Sequence, residues 1–180
     1  MLPEGENPLP DVDPSIALWN RVSTRARATV LPFLRKQPVA IGAIATALDI
    51  EVVASVLDSS ISGLIRVHPN DPNRCQIKVN SVEAAVRQRF TVAHEIGHFL
   101  LHRDLIDAEG ITDTILFRSS LSNKKEAEAN QLAALMLLPW NTVAHWTQVN
   151  HSVAPSESYI DEIASAFRVS NLTVGYRLGF

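Results

Sequence analysis

The sequence predicts an α+β fold, with a small antiparallel sheet packed against helices, on three observations. Residues 50–80 hold three short β-branched or alternating runs, "IEVVASVL", "LIRVH" and "CQIKVN". Residues 83–102 and 124–138 are stretches of good helix formers free of proline. Apolar residues make up 46% of the 180-residue chain, enough for one real core.

Each element follows in order. Residues 1–14 carry four prolines and few apolar anchors, so they read as a loose tail. From Ser15 to about Arg35 the pattern is helical, with Ile16, Trp19, Val22 and Ala26 on one face and Pro32 expected to end or kink it. "PVAIGAIATAL" (38–48) reads as a second helix. The strand run at 50–57 comes next, and "DSSISG" is turn chemistry. "LIRVH" and "CQIKVN" form a hairpin across "PNDPN", a loop longer than a tight turn. The helix over 83–102 has one weak residue, Gly97, at a place suited to close backbone approach. Residues 103–123 are mostly loop, with a short strand in "TILFRS". A strong helix over 124–138 stops at Pro139, and residues 156–180 read as two short helices joined near Val169 and Ser170. The expected organisation is a tail (1–14), a main domain (15–155) and a C-terminal helical pair (156–180).

Several function classes are disfavoured. The net charge of -3, with basic residues spread thinly, argues against a broad nucleic-acid footprint. No apolar run is long enough to span a bilayer, and the N-terminal residues lack the apolar stretch of a secretory signal. Cys75 is the single cysteine, so no internal disulfide can form. Together these features predict a cytoplasmic protein with no membrane partner.

The chemistry concentrates in "RQRFTVAHEIGHFLLH" (87–102). Side chains four apart on a helix share a face, roughly 6 Å apart along the axis, so His94 and His98 can aim imidazole nitrogens at one ion. Zinc accepts neutral imidazole and keeps one of four corners open in catalytic sites. Glu95 projects from the neighbouring side, within reach of a water at that ion, and suits the role of general base. This is the physical content of the H-E-x-x-H spacing.

Two ligands do not complete a site. His102 stands about 12 Å along the axis from His94, too far to share an ion on a straight helix. It is expected to cap or buttress the helix end. A histidine six beyond His98 would fall on Asp104, which argues against the three-histidine subclass. The remaining source is "KKEAEANQLAALMLLP" (124–139). The apolar stripe of Leu132, Ala133, Met136 and Leu137 continues back through Ala129 and Asn130 to Glu126. That favours Glu126 as third ligand and Asn130 as the hydrogen-bond partner orienting one histidine. Glu128, about 200° around the helix, is expected to be solvated and remains the alternative ligand.

"RFTVAHEIGHFLLH" followed by "EAEANQLAALMLLP" resembles the ImmA/IrrE family of zinc metallopeptidases. The likeness covers residues 38–139, including the strands "ISGLIRV" and "CQIKVN". It implies a zincin-like, minimal gluzincin core, with the sheet packed on the active-site helix. It also implies Zn2+ on His94, His98 and Glu126, with Glu95 as general base. Members cleave or sequester helix-turn-helix repressors, switching on mobile-element or stress genes, so the implied partner is such a repressor or an antitoxin. Leu132 and Leu135 depart from the family's usual phenylalanine and acid. They keep the helix face apolar and leave open the shape of the substrate cleft.

Two rival readings accompany the peptidase. One is an anti-repressor that sequesters a transcription factor without cutting it. The other is a DNA-binding regulator using the C-terminal pair, whose spacing resembles a helix-turn-helix. Only Arg168 and Arg177 are basic there, whereas Glu157, Asp161 and Glu162 repel phosphate. His145, His151 and Tyr159 are the candidate oxyanion donors, and no feature of the sequence selects among them.

Overall fold

The structure is a computed structural model that describes residues 14–106, 111–114 and 123–180. Most of the expected N-terminal tail and nearly all of "TILFRS" lie outside the described residues.

The first expected helix is broken into α1 (Pro14–Arg21), α2 (Thr24–Val30) and a 3-10 turn (Leu31–Arg35). Ser23 makes the break, accepting the Ala26 N–H at 3.3 Å and capping α2. Pro32 lies in the 3-10 turn, where its missing N–H interrupts no α-helical ladder. The break rotates the buried face: Leu18 and Val22 are buried, whereas Ile16 faces solvent. The next helix, α3 (Ile41–Ala47), buries Ile41, Ile44 and Ala45.

Strands β1 (Ile50–Ser55), β2 (Ile61–His68), β3 (Asp71–Asn80) and β4 (Ile111–Thr114) form one sheet in the order β1-β3-β2-β4. The α+β class stands, but the sheet is mixed, not purely antiparallel. β2 runs antiparallel to both β3 and β4, while β1 runs parallel to β3. Three successive strands joined by short links alternate in direction. Because β3 inserts between its two predecessors, it opposes β2 and matches β1. The "PNDPN" loop is tighter than expected. His68 pairs with Asp71 and Val67 with Cys75, so Pro72, Asn73 and Arg74 form an irregularity on β3 after a two-residue turn.

Asn80, at the end of β3, is buried and braces the link between β1 and β2. Its side-chain N–H groups donate to the carbonyls of Ile61 (2.9 Å) and Asp58 (3.2 Å), and its Oδ1 accepts the Leu57 N–H (3.3 Å). Replacing it strands buried backbone groups, so Asn80→Ala is expected to lower stability by about 1–3 kcal/mol in urea unfolding. A midpoint equal to wild type would show that the brace is dispensable.

Helices α4 (Ala85–Leu101), α5 (Asn123–Leu137), α6 (Trp140–His151), α7 (Ile160–Phe167) and α8 (Asn171–Leu178) complete the domain. Eight consecutive residues of α4, Thr91 to His98, are buried, so this stretch of the helix is covered on all sides. The sheet lies against it through β2 and β3, and α5 packs along it. The approach to the sheet requires Gly63. A Cβ there would overlap Thr91 Cγ2 and stand 2.7 Å from the Lys78 carbonyl oxygen. Helix α6 has no counterpart in the expected elements. Its buried positions are Val143 and Thr147, and the apolar signal is diluted by threonine, histidine, asparagine and glutamine.

The C-terminal helices sit where expected, and α8 packs on α5. Ser170 caps α8, accepting the Thr173 N–H at 3.1 Å. Arg89, in the "RFT" stretch of α4, fastens this end to the N-terminal part. Its guanidinium donates to the Val39 carbonyl (3.0 Å) and the Arg168 carbonyl (3.2 Å). Cys75 is buried, and burial pushes its thiol pKa up, which suits an unreactive core thiol. Among the described residues no helix is long and apolar enough to cross a membrane.

Candidate metal centre

The site forms where α4 crosses α5, and Gly97 sets the spacing. A Cβ at Gly97 would stand 2.9 Å from the Ala129 carbonyl oxygen and 3.2 Å from its Cα. Absence of a side chain there, facing the small Ala129, lets the helices approach closely. Glu126, one turn before Ala129, then meets the histidines flanking Gly97. The substitution Gly97→Ala sets two effects against each other. Intrinsic helix propensity would gain about 1 kcal/mol, but backbone atoms of α5 must move. The expected result is near-normal stability with divalent-metal affinity about tenfold weaker, since each 1.4 kcal/mol of misplacement costs tenfold. Isothermal titration decides it, and wild-type affinity would reject this role for Gly97.

The structure brings His94, His98 and Glu126 together, with one potential ligand atom from each within 4.8 Å of the others. His94 Nε2 lies 3.3 Å from Glu126 Oε2, and His98 Nε2 lies 3.3 Å from Glu126 Oε1. The two Nε2 atoms are 3.0 Å apart. Donor atoms bound to zinc at roughly 2.0–2.1 Å in a tetrahedron stand about 3.3 Å apart, so these separations fit. The donor chemistry fits as well. Burial pushes the His98 imidazole below its ordinary pKa, toward the neutral form that ligates metals. Burial alone would raise the Glu126 carboxyl. The two imidazoles facing it outweigh that burial and hold the group well below the usual carboxylate range.

Asn130 Oδ1 is 2.9 Å from His94 Nδ1. An Nδ1–H donated to that carbonyl oxygen leaves the His94 Nε2 lone pair facing the cluster. Glu95 is fully buried on α4 and turns toward the sheet, with Oε1 3.8 Å from the position a Gly63 Cβ would take. Leu132 and Leu135 are both buried on α5, so these departures keep the helix face apolar.

One expectation fails. Glu128 is not solvated; it is 8% exposed. Its Oε2 lies 3.0 Å from His102 Nε2 and its Oε1 lies 2.7 Å from Arg21 Nη1. The sequence reading treated that flank of α5 as open to water, but α1 packs against α5. The Arg21 hydrogen bond leads in holding the Glu128 carboxyl down to about 2. His102 does buttress the helix end, with Nδ1 3.1 Å from His98 Nδ1. Arg21 was missed, and the "EAE" pattern alone could not have found it, because the contact joins residues 107 apart in the chain.

The oxyanion candidates lie on α6 (His145, His151) and in the 3-10 turn before α7 (Tyr159). His145 is exposed on α6. His151 stacks on Tyr159 with ring centroids 4.2 Å apart, beside Trp146, and its Nε2 lies 3.2 Å from Glu162 Oε2.

Fold and site together define a class: an α+β domain built around an H-E-x-x-H helix, with a His–His–Glu group able to hold a metal ion. The chain belongs to the M78 peptidase family, whose model, described as the IrrE N-terminal-like domain, matches residues 45–179. The match takes in α7 and α8, which lie beyond the residues 38–139 that carried the resemblance. No curated protein matches the chain. Six chains of solved structure do. One is a Mycobacterium tuberculosis transcriptional regulator, 17% identical with a TM-score of 0.49, the alignment covering 92% of this chain and 51% of that one. This chain therefore spans about half the length of that regulator.

Proposed function

We propose that this protein is a zinc-dependent endopeptidase of the ImmA/IrrE kind. It would act in the cytoplasm on a regulatory protein, a helix-turn-helix repressor or antitoxin. The observation that carries the reading is the convergence of His94, His98 and Glu126 from two helices at separations suited to one tetrahedral ion. Zinc held there would supply a Lewis acid and lower the pKa of water to about 7.

The chain's own residues do the rest. His94, His98 and Glu126 hold the ion, and Asn130 fixes the His94 ring through its Nδ1–H. Glu95 removes a proton from the water that attacks the scissile carbonyl, then delivers it to the leaving amine nitrogen. The new C–O bond forms first, and the C–N bond breaks as the nitrogen takes that proton, so one water is consumed per cleavage. Its burial beside the sheet excludes bulk water from that carboxylate. The substrate strand is expected to lie extended along the sheet edge, where β4 pairs with β2 on one side only among the described residues.

The test combines metal analysis of the purified protein with incubation against helix-turn-helix proteins encoded beside it, with and without chelator. Zinc near one equivalent and chelator-sensitive cleavage are expected. Intact repressor held in a stable complex would replace cleavage with sequestration. Absence of any bound divalent metal would reject the reading.

A further inference from the structure

Resting on the metal-site reading above, we infer that His102, Glu128 and Arg21 form a positioning relay. It fixes His98 in the one tautomer that can face the ion. Four groups lie in a continuous line. Arg21 Nη1 meets Glu128 Oε1 at 2.7 Å, Glu128 Oε2 meets His102 Nε2 at 3.0 Å, and His102 Nδ1 meets His98 Nδ1 at 3.1 Å.

The chemistry of these atoms sets the direction of every bond. Arginine only donates, so the ionised Glu128 accepts from it. That carboxylate can only accept, so His102 must carry its hydrogen on Nε2. The other ring nitrogen, Nδ1, is left as the acceptor facing His98. His98 must therefore donate from Nδ1, which leaves its Nε2 lone pair facing His94 and Glu126. Reversing any one link sets two donors or two acceptors against each other inside a buried site. His94 Nδ1 is met by the Asn130 amide, whereas His98 is held through three residues reaching across to α1.

Arg21 lies outside residues 45–179, the stretch that matches the family. Its side chain is half-exposed, so the relay ends at the protein surface on α1. By this inference α1 contributes to metal binding although it carries no ligand.

Zinc affinity and histidine tautomers test the relay together. His102→Phe keeps the ring but removes the acceptor, and zinc affinity is expected to fall about 10–100-fold. His102→Gln can still accept the His98 hydrogen and is expected to recover most of that loss. Equal affinity in wild type and His102→Phe would overturn the relay. So would His102→Gln binding as weakly as the phenylalanine variant, since that pattern marks a packing role. Long-range nitrogen–proton spectra of the wild-type protein read the tautomer without any mutation. His102 protonated on Nε2 alone is expected, and a hydrogen on its Nδ1 would overturn the proposal. A wild type that binds no zinc would refute the proposed function. The His102 tautomer, read on that same metal-free protein, would still decide the relay.

Discussion

Glu95→Gln is expected to abolish cleavage while leaving the metal in place. The amide has nearly the same shape as the carboxylate but cannot accept the water's proton. General-base catalysis contributes roughly 10²–10⁴-fold, so turnover should fall by about that factor. Zinc should be retained, because His94, His98 and Glu126 form the candidate ligand set without Glu95. Folding should also survive. Glu95 is fully buried, and glutamine fills nearly the same volume there. The measurement is single-turnover cleavage of the repressor beside zinc content and a thermal melt. Cleavage at the wild-type rate would remove Glu95 from the mechanism. Zinc loss with a normal melt would make it a ligand instead.

Local patterns were legible in the sequence, and long-range partners were not. The H-E-x-x-H spacing fixes His94 and His98 on one helix face because the helical period is the same everywhere. The stripe through Leu132, Ala133 and Met136 pointed to Glu126, and the structure turns Glu126 to the histidines. Strand direction was not legible, since alternation of side chains is the same in parallel and antiparallel pairs. The parallel pairing of β1 with β3 follows from the order in which strands insert. The break at Ser23 was overlooked because the apolar residues on either side sustain an approximate helical period through it. Glu128 was misjudged because exposure depends on what covers a helix, and nothing near residue 128 announces Arg21. Gly97 is the intermediate case. Its poor helix propensity marked it as a place for close approach, but the identity of the neighbour, the Ala129 backbone, required the fold.

The contrast between Glu126→Ala and Glu128→Ala separates ligand from support. Both carboxylates are held below the usual range, and both face histidines of α4 or its end, so charge alone does not distinguish them. Geometry does. Glu126 spans His94 and His98 with one oxygen toward each, whereas both oxygens of Glu128 are committed to Arg21 and His102. Reaching the ion would require Glu128 to abandon both partners and swing around α5. A structural zinc site worth roughly 10–16 kcal/mol over four ligands assigns about 2.5–4 kcal/mol to each. Removing Glu126 should therefore weaken zinc binding by about 10²–10³-fold. Removing Glu128 disturbs only the orientation of His98, and about tenfold is expected. Competition titration with a chromophoric chelator measures both variants in one format. If the order reverses, the ligand role passes to Glu128. If both variants lose zinc equally, the carboxylates act as one coupled unit, and the assignment of a single acidic ligand on α5 fails.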